Sequence, residues 1–237
     1  MEELTYSGKE LNLFAEAKNW KSYVRNHLKN YIKGDVLEVG AGIGSNTCSL
    51  SSCSYRKWLC LEPDPNLFQS LETEISSCSI VNCYAQKGTI DTLTNEQIFD
   101  SILYLDVLEH IYEDREEVAK VIKHLKANGN LIILAPAHQW LFTPFDSAIG
   151  HYRRYSKLTL EAVLPDSVEV TRLIYIDSVG LLASLANKLL LRQSQPTLRQ
   201  IKVWDKVMVP VSSKTDAILG YQLGKTVLLV GKKKVSK

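Results

Sequence analysis

The chain is expected to fold as a Rossmann-like α/β protein, a doubly wound sheet that is mostly parallel. Three observations lead there. An apolar run passes through one acid into glycines at alternate positions, Val36-Leu37-Glu38-Val39-Gly40-Ala41-Gly42-Ile43-Gly44; a second apolar run, Trp58-Leu59-Cys60-Leu61, ends at Glu62; and strand and helix patterns alternate from about residue 35 to about residue 177. A continuous apolar run marks a strand buried on both faces, as in a parallel sheet. Glycine takes φ > 0 without steric cost and brings the backbone close to a ligand, so Gly40, Gly42 and Gly44 are expected to hold something against the main chain. Glu38 lies inside its strand, where a carboxylate must find partners to offset its burial.

The expected strands are Val36–Val39, Trp58–Leu61, Ser79–Tyr84, Ser101–Leu105, Leu131–Ala135, Val168–Tyr175 and a final Thr226–Val230 between Gly224-Lys225 and Gly231. Asp64 can cap a helix that opens at Pro65, whose missing N–H needs no partner, and runs to about Ser76. A helix from about Glu113 to Lys126 opens with acids and closes with Lys123 and Lys126 before Asn128-Gly129, as the helix dipole and the usual glycine stop favour. Ser156 is placed to cap a helix over Lys157–Leu164.

With 237 residues and a formal net charge of +2, the chain is long enough for one domain with a full core and an elaborated end. The charge balance argues against broad nucleic-acid binding, and Lys232, Lys233, Lys234 and Lys237 read as a solvated tail. Cys48, Cys53, Cys60, Cys78 and Cys83 are odd in number and lack close-paired spacing, so reduced thiols are expected, with no disulfide and no structural zinc. No basic segment leads into an apolar one near Glu2-Glu3, so no secretory signal is visible and a cytoplasmic location is expected.

The glycines fall as Gly-x-Gly-x-Gly, and Ser45 stands where a dinucleotide fingerprint carries its third glycine. An acid at the tip of the second strand, Glu62, suits both ribose hydroxyls of an adenosine without choosing the cofactor. Glu38, the three glycines and Glu62 together resemble the first motifs of the class I methyltransferases that use S-adenosylmethionine. Asp106-Val107-Leu108-Glu109-His110-Ile111 resembles the Leu-Glu-His motif of the small-molecule branch. Gly150-His151-Tyr152-Arg153-Arg154-Tyr155, with Asp146 four residues before Gly150, resembles a bacterial subgroup with a Gly-His-x-Arg-Arg-Tyr signature.

The resemblance runs nearly the whole chain and implies a seven-stranded sheet whose last strand lies antiparallel between the fifth and sixth. It implies one methyltransferase domain over 1–237: a helical lid (1–33), a cofactor-binding core (34–177), a helical cap (178–223) and a final strand with a basic tail (224–237). S-adenosylmethionine would be held by Glu38, Gly40, Ala41, Gly42, Gly44, Glu62 and Pro63. Gly88 and Thr89 would lie along the adenine, and Leu105, Asp106 and Val107 beside the methionine portion.

Two segments outside the minimal sheet carry more than one reading. Residues 10–33, with Phe14, Trp20, Tyr23, Leu28 and Tyr31, are a lid across the cofactor or simply pack on the sheet. The stretch from Ser178 to Lys214 is too interrupted by Asn187 and Lys188 to span a bilayer. It reads as a buried helix, a cover for a greasy pocket, or a peripheral contact with a membrane or a lipid-linked substrate.

For chemistry, His151 is the first choice of general base and His110 the second, with orientation of the loop as the other reading of His110. Arg153, Arg154 and Tyr155 are candidate substrate contacts, since guanidinium groups grip carboxylates and phosphates bidentately; alternatively one arginine pairs with Glu109 or Asp146 to hold the loop. No metal is expected, because acids and histidines do not cluster at ligand spacing on one element. The expected reaction is in-line methyl transfer from S-adenosylmethionine to a hydroxyl of a small molecule, such as a sugar, a lipid-linked glycan or a natural-product intermediate. The alternatives are a nicotinamide-dependent oxidoreductase and a noncatalytic cofactor-binding partner. Motifs of nucleic-acid base methylation are absent, and the oligomeric state is not legible.

Overall fold

The structure is a computed structural model that describes residues 9–188 and 197–235. Seven strands form one sheet: β1 (Asp35–Val39), β2 (Lys57–Glu62), β3 (Cys83–Lys87), β4 (Phe99–Leu105), β5 (Leu125–Pro136), β6 (Val168–Ile176) and β7 (Thr226–Lys233). Their order is β3-β2-β1-β4-β5-β7-β6, with β7 antiparallel to both neighbours and the other pairs parallel. This is the architecture the sequence implied, down to the last strand inserted between the fifth and sixth.

The helices are α1 (Lys9–Ala15), α2 (Lys18–Leu28), α3 (Ser45–Leu50), α4 (Pro65–Ser77), α5 (Asp114–Val121), α6 (Pro144–Ala148), α7 (Lys157–Glu161), α8 (Ser178–Ala186), α9 (Leu198–Val203) and α10 (Val209–Ile218). Successive strand residues point to opposite faces, and the core divides accordingly. Val36, Cys60, Leu103, Leu134 and Leu228 meet Val24 and Leu28 of α2, Leu71 of α4 and Trp204 on one face. Leu37, Leu61, Ile102, Ile133 and Leu229 meet Val118 and Val121 of α5 and Leu160 of α7 on the other. Strand order reverses between β1 and β4, so the crevice beyond their carboxyl ends is where this topology places a ligand.

Three buried acids fasten the C-terminal helices to this frame. Asp177 accepts from Trp204 Nε1 and Ser212 Oγ, both at 2.7 Å. Asp216 accepts from Tyr23 Oη at 2.7 Å, and Asp205 from the Trp20 amide at 2.8 Å. The described parts of this segment, 178–188 and 197–218, are thus anchored to α2 and the sheet by their inner face, which fits the buried-helix reading; residues 189–196, with Leu189–Leu191, lie outside the described residues. Among the described residues, no helix is long and apolar enough to cross a membrane.

Four local expectations need correction. β3 starts at Cys83, not Ser79, because Ser79 and Asn82 take left-handed turns at φ of 50° and 58°. α5 ends at Val121, a 3-10 turn follows, and Lys126 lies in β5 with its amine 2.8 Å from Asp100 Oδ2; an ion-pair partner on β4 outweighs the helix signal. The helix capped by Ser156 stops at Glu161. A disulfide joins Cys48 on α3 to Cys78 at the end of α4, against the expectation of reduced thiols only. Packing of α4 on α3 brings their Cα atoms to 6.3 Å across 30 residues, a proximity that linear spacing hides.

Candidate active site at the strand ends

The first wall of the crevice is the turn after β1. Gly40, Gly42 and Gly44 all take positive φ, at 65°, 58° and 81°. A Cβ on Gly40 would stand 2.8 Å from Val107 Cγ2, so the turn nests against the loop after β4 and admits only glycine there. Ala41 is fixed by its amide bonding Leu61 O at 3.0 Å. Glu38 sits beneath the turn, 2% exposed, where its Oε2 accepts from Thr47 Oγ1 at 2.8 Å and Trp58 Nε1 at 3.0 Å. It therefore ties β1, α3 and β2 together from behind the turn, and desolvation pushes its pKa up to about 7.

Glu62 closes β2 and reaches back to the turn. Its Oε2 accepts from the Gly42 amide at 2.8 Å and its Oε1 from the Asp64 amide at 3.0 Å. Two of the carboxylate's four acceptor positions are thereby used, and two are left for hydroxyl donors. Half-buried Pro63 follows, and Asp64 caps α4 as expected, accepting from the amides of Asn66 and Leu67. The Gly88 amide bonds Glu62 O at 3.0 Å, bringing the third strand's loop beside the second's; Thr89 Oγ1 accepts from the Asp91 amide and caps a short 3-10 turn. α1 covers this region, with Leu11 Cδ1 3.5 Å from the place of a Gly42 Cβ.

The floor is the end of β4. Leu105 is buried, Val107 packs on Gly40, and Asp106 takes a left-handed φ of 57°. Asp106 is exposed and lines the crevice beside Leu105 and Leu134. Desolvation raises its pKa to about 6 against the pull of His151 and Lys225. Lys225 stands beside it, its amine 3.9 Å from the Trp204 ring centroid and 3.5 Å from Asp177 Oδ2. Trp20 and Lys21 of α2 line the same crevice.

The opposite wall is built around Asp146. One of its oxygens accepts from Thr143 N and Oγ1, both at 2.8 Å, in a capping box at the start of α6. The same carboxylate grips Arg154 in a fork, Nε at 2.8 Å and Nη2 at 2.9 Å, and lies 3.0 Å from His151 Nδ1. These contacts hold Asp146 well below the usual carboxylate range despite its burial. A carboxylate only accepts, so Nδ1 of His151 carries a proton toward Asp146. Nε2 looks toward Glu109 Oε1 at 3.8 Å, and the His110 ring meets the His151 ring edge-on at 4.5 Å between centroids. Burial and the neighbouring His151 lower the His110 pKa to about 4. Glu109 is 1% exposed, neither of its oxygens accepts a hydrogen bond, and burial drives its pKa well up.

For Arg153, Arg154 and Tyr155 the structure shows internal partners, and Arg154 takes the alternative reading in which an arginine pairs with Asp146 to hold the loop. Arg154 is spent on Asp146, while Arg153 pairs with Asp114 at 2.7 Å and donates to Tyr112 O at 2.7 Å. Tyr155 is 1% exposed and donates to Asp114 Oδ2 at 2.7 Å. Buried carboxylates need these cations and the phenol more than a ligand does. The expectation of no metal rested on spacing within one element, and the fold adds a cluster that such spacing does not reveal. Donor atoms of Glu109, His110 and His151 lie within 4.8 Å of one another, gathered from two loops rather than from one element. Two imidazoles and a carboxylate suit a divalent cation of the zinc, manganese or iron type.

Sequence reasoning missed Asp114, Lys225 and the Glu109 carboxyl with no partner. Asp114 and Lys225 carry no local motif; Glu109 was visible only as the middle of Leu-Glu-His.

The residues fit an adenosine-bearing cofactor on structural grounds: a glycine cradle that a Cβ would block, spare acceptor positions on Glu62 and an open acidic floor at Asp106. Residues 37–133 match the family described as methyltransferase domain. The chain is 26% identical over 119 residues to a ubiquinone biosynthesis O-methyltransferase of Rickettsia typhi, a match that takes in 46% of the chain and 44% of that relative. The chain thus spans less than half the length of the curated relative it matches. Its fold is shared with an S-adenosylmethionine-dependent methyltransferase of Clostridium acetobutylicum, with a TM-score of 0.59, 13% identity and 93% of each chain covered. It is shared also with the N-methyltransferase NodS of Bradyrhizobium japonicum, with a TM-score of 0.58, 12% identity, and 93% of this chain and 97% of that one covered. Residues 37–133 therefore match a methyltransferase domain in a chain with the Rossmann-like fold of S-adenosylmethionine-dependent methyltransferases, and the two together support S-adenosylmethionine as the cofactor.

Proposed function

We propose that the chain transfers a methyl group from S-adenosylmethionine to a hydroxyl of a small molecule, with His151 as general base. The observation that carries this reading is the Asp146–His151 pair, whose Nδ1 is held at 3.0 Å while Nε2 points toward Glu109, close enough to the floor for His151 to act on Asp106. A hydroxyl needs its proton removed as it attacks, and an imidazole with one nitrogen fixed by a carboxylate offers the other as acceptor. The name of the Rickettsia typhi relative supports oxygen as the attacked atom.

When bound, S-adenosylmethionine supplies a methyl carbon on a sulfonium, open to in-line displacement. The chain's own part is mainly positioning, which is worth roughly 7–11 kcal/mol when reacting groups are held in line. Glu62 takes the ribose hydroxyls on its spare acceptor positions, the glycine turn sets the backbone against the cofactor, and Asp106 attracts a cationic amine. α1, resting over Gly42, acts as the lid that excludes water. His151 Nε2 receives the acceptor's proton, adding on the order of 10²–10⁴-fold.

The exposed aromatic residues Trp140 and Tyr152 fit an amphipathic acceptor, such as a natural-product intermediate or a lipid-linked or sugar-bearing molecule. Anion recognition by Arg153 and Arg154 drops out, since both serve internal carboxylates.

Calorimetric titration with S-adenosylmethionine and with its demethylated product tests the reading, with Gly42→Val as control. Micromolar binding lost in the variant is expected; a wild-type chain that ignores both and binds a nicotinamide dinucleotide would refute it. With an acceptor found, His151→Asn should lower kcat by about 10²-fold or more and leave cofactor affinity unchanged.

A further inference from the structure

Apart from the crevice, the outer face of the C-terminal helices has a composition that nothing in the reaction uses. Along α9, the π turn Trp204–Met208 and α10, the inner face is buried through Ile201, Trp204 and Val209. The outer face leaves Leu198, Val203, Val207 and Val211 between 42% and 58% exposed. Leu198, Val203 and Val207 line one shallow groove together with Arg199, Lys202 and Lys206. The acids between 198 and 218 are Asp205 and Asp216, and both turn inward, bonded to Trp20 and Tyr23. The outer face therefore presents aliphatic side chains interleaved with cations and carries no counter-charge of its own.

Scattered apolar residues on a surface need no explanation, but this combination does. Protein interfaces favour aromatic residues, Met and Arg and are poor in Lys, and their anchors fill pockets. Here the groove is shallow, its apolar residues are aliphatic and two of its three cations are lysines. An anionic bilayer asks for this arrangement: aliphatic side chains enter the acyl boundary while lysine stems snorkel their amines to the headgroups.

We propose that the outer face of α9, the π turn and α10 docks on an anionic lipid surface. The inference goes beyond the reaction and uses none of its residues. Docking would bring the crevice within one layer of the lipid, because Trp204 on the inner face packs directly on Lys225 beside Asp106.

Co-sedimentation of the full chain with phosphatidylcholine vesicles, with and without phosphatidylglycerol, tests the proposal. Binding to the anionic vesicles is expected, with little to the neutral ones, and should weaken in high salt. Lys202→Gln with Lys206→Gln should weaken it by about 25-fold, about fivefold per cation. Val203→Asn with Val207→Asn should weaken it without altering charge. Unchanged thermal melting and unchanged S-adenosylmethionine titration would certify that both variants fold. No binding to anionic vesicles, equal binding to both vesicle types, or unaltered binding by the lysine variant would each overturn the proposal. A concentration-dependent dimer abolished by the valine variant, without vesicle binding, would overturn it in favour of a second copy of the chain.

Discussion

Replacing Glu38 by Gln should flatten the pH dependence of stability between pH 4.5 and 7. The carboxyl is 2% exposed beneath the glycine turn, and desolvation raises its pKa from an ordinary 4.5 to about 7, even though Thr47, Trp58 and Cys60 donate to it. In the unfolded chain it loses its proton near pH 4.5, whereas in the native state it keeps that proton until near pH 7. Across that window the native state binds more protons, so wild-type stability falls as pH rises and the difference is constant above it. The span is 7 − 4.5, about 2.5 pH units, and at about 1.36 kcal/mol each this amounts to about 3 kcal/mol. For a chain of this size the corresponding change in melting temperature is roughly 6–12 °C. Gln cannot ionise and keeps an oxygen to accept from the same three donors. Glu62, Glu109 and Asp106 also have raised pKa values, but they are present in both proteins and cancel in the difference. Melting curves of wild type and Glu38→Gln over this range should therefore diverge, with the variant gaining relative stability toward neutral pH. Parallel curves would refute the reasoning and mean that Glu38 ionises with its ordinary pKa in the folded chain.

Asp146→Asn separates positioning from chemistry. It should lower kcat about 10²-fold or more and shift the acidic limb of the pH-rate profile, because His151 Nδ1 loses its carboxylate partner. It should also cost about 3–5 kcal/mol of stability by leaving Arg154 without its forked partner; Asp146→Glu restoring the profile would mark a positioning role, and an unaltered profile would dismiss it. The Glu109, His110 and His151 cluster gives a separate test by titration of the metal-free chain with Mn²⁺ or Zn²⁺. One equivalent bound, and lost in Glu109→Gln and His110→Ala, would make this a metal centre, and uptake unaffected by either change would rule the cluster out. The low His110 pKa, about 4, leaves that ring unprotonated at neutral pH, but burial holds the proton on Glu109, so uptake should release that proton and strengthen as pH rises.

The strands and the glycine turn were legible in the sequence because each is a short-range effect. Val36–Val39 is apolar at every place but one, and Gly40, Gly42 and Gly44 all occupy left-handed backbone. The cap at Asp64 and the stop of β2 at Glu62 depend on neighbours one to three residues away. The errors share the opposite character. Lys126 was read as the end of a helix because the acids and lysines around it follow the dipole rule, yet its partners are Asp35 and Asp100 on two other strands. Cys48 and Cys78 are joined only because α4 lies on α3. No window of sequence contains either contact.

The site divides along the same line, and the division explains why the arginines carried two readings. Arg153 and Arg154 look like an anion clamp when Asp114 and Asp146 are 39 and eight residues away in the chain. Once the loops fold, each guanidinium has a carboxylate at 2.7–2.9 Å, and freeing either one for a ligand would strand a buried charge. The consequence is a wall in which charge is balanced everywhere except at Glu109. Asp146 has Arg154 and Thr143, Asp114 has Arg153 and Tyr155, and Asp106 opens to solvent beside Lys225. Glu109 alone among these acids is buried with no side-chain hydrogen-bond donor, and His151 Nε2 lies 3.8 Å from it. A buried carboxyl without partners is a cost that packing does not repay. Burial meets that cost by holding the proton on Glu109, so the carboxyl is kept neutral behind His110 and His151.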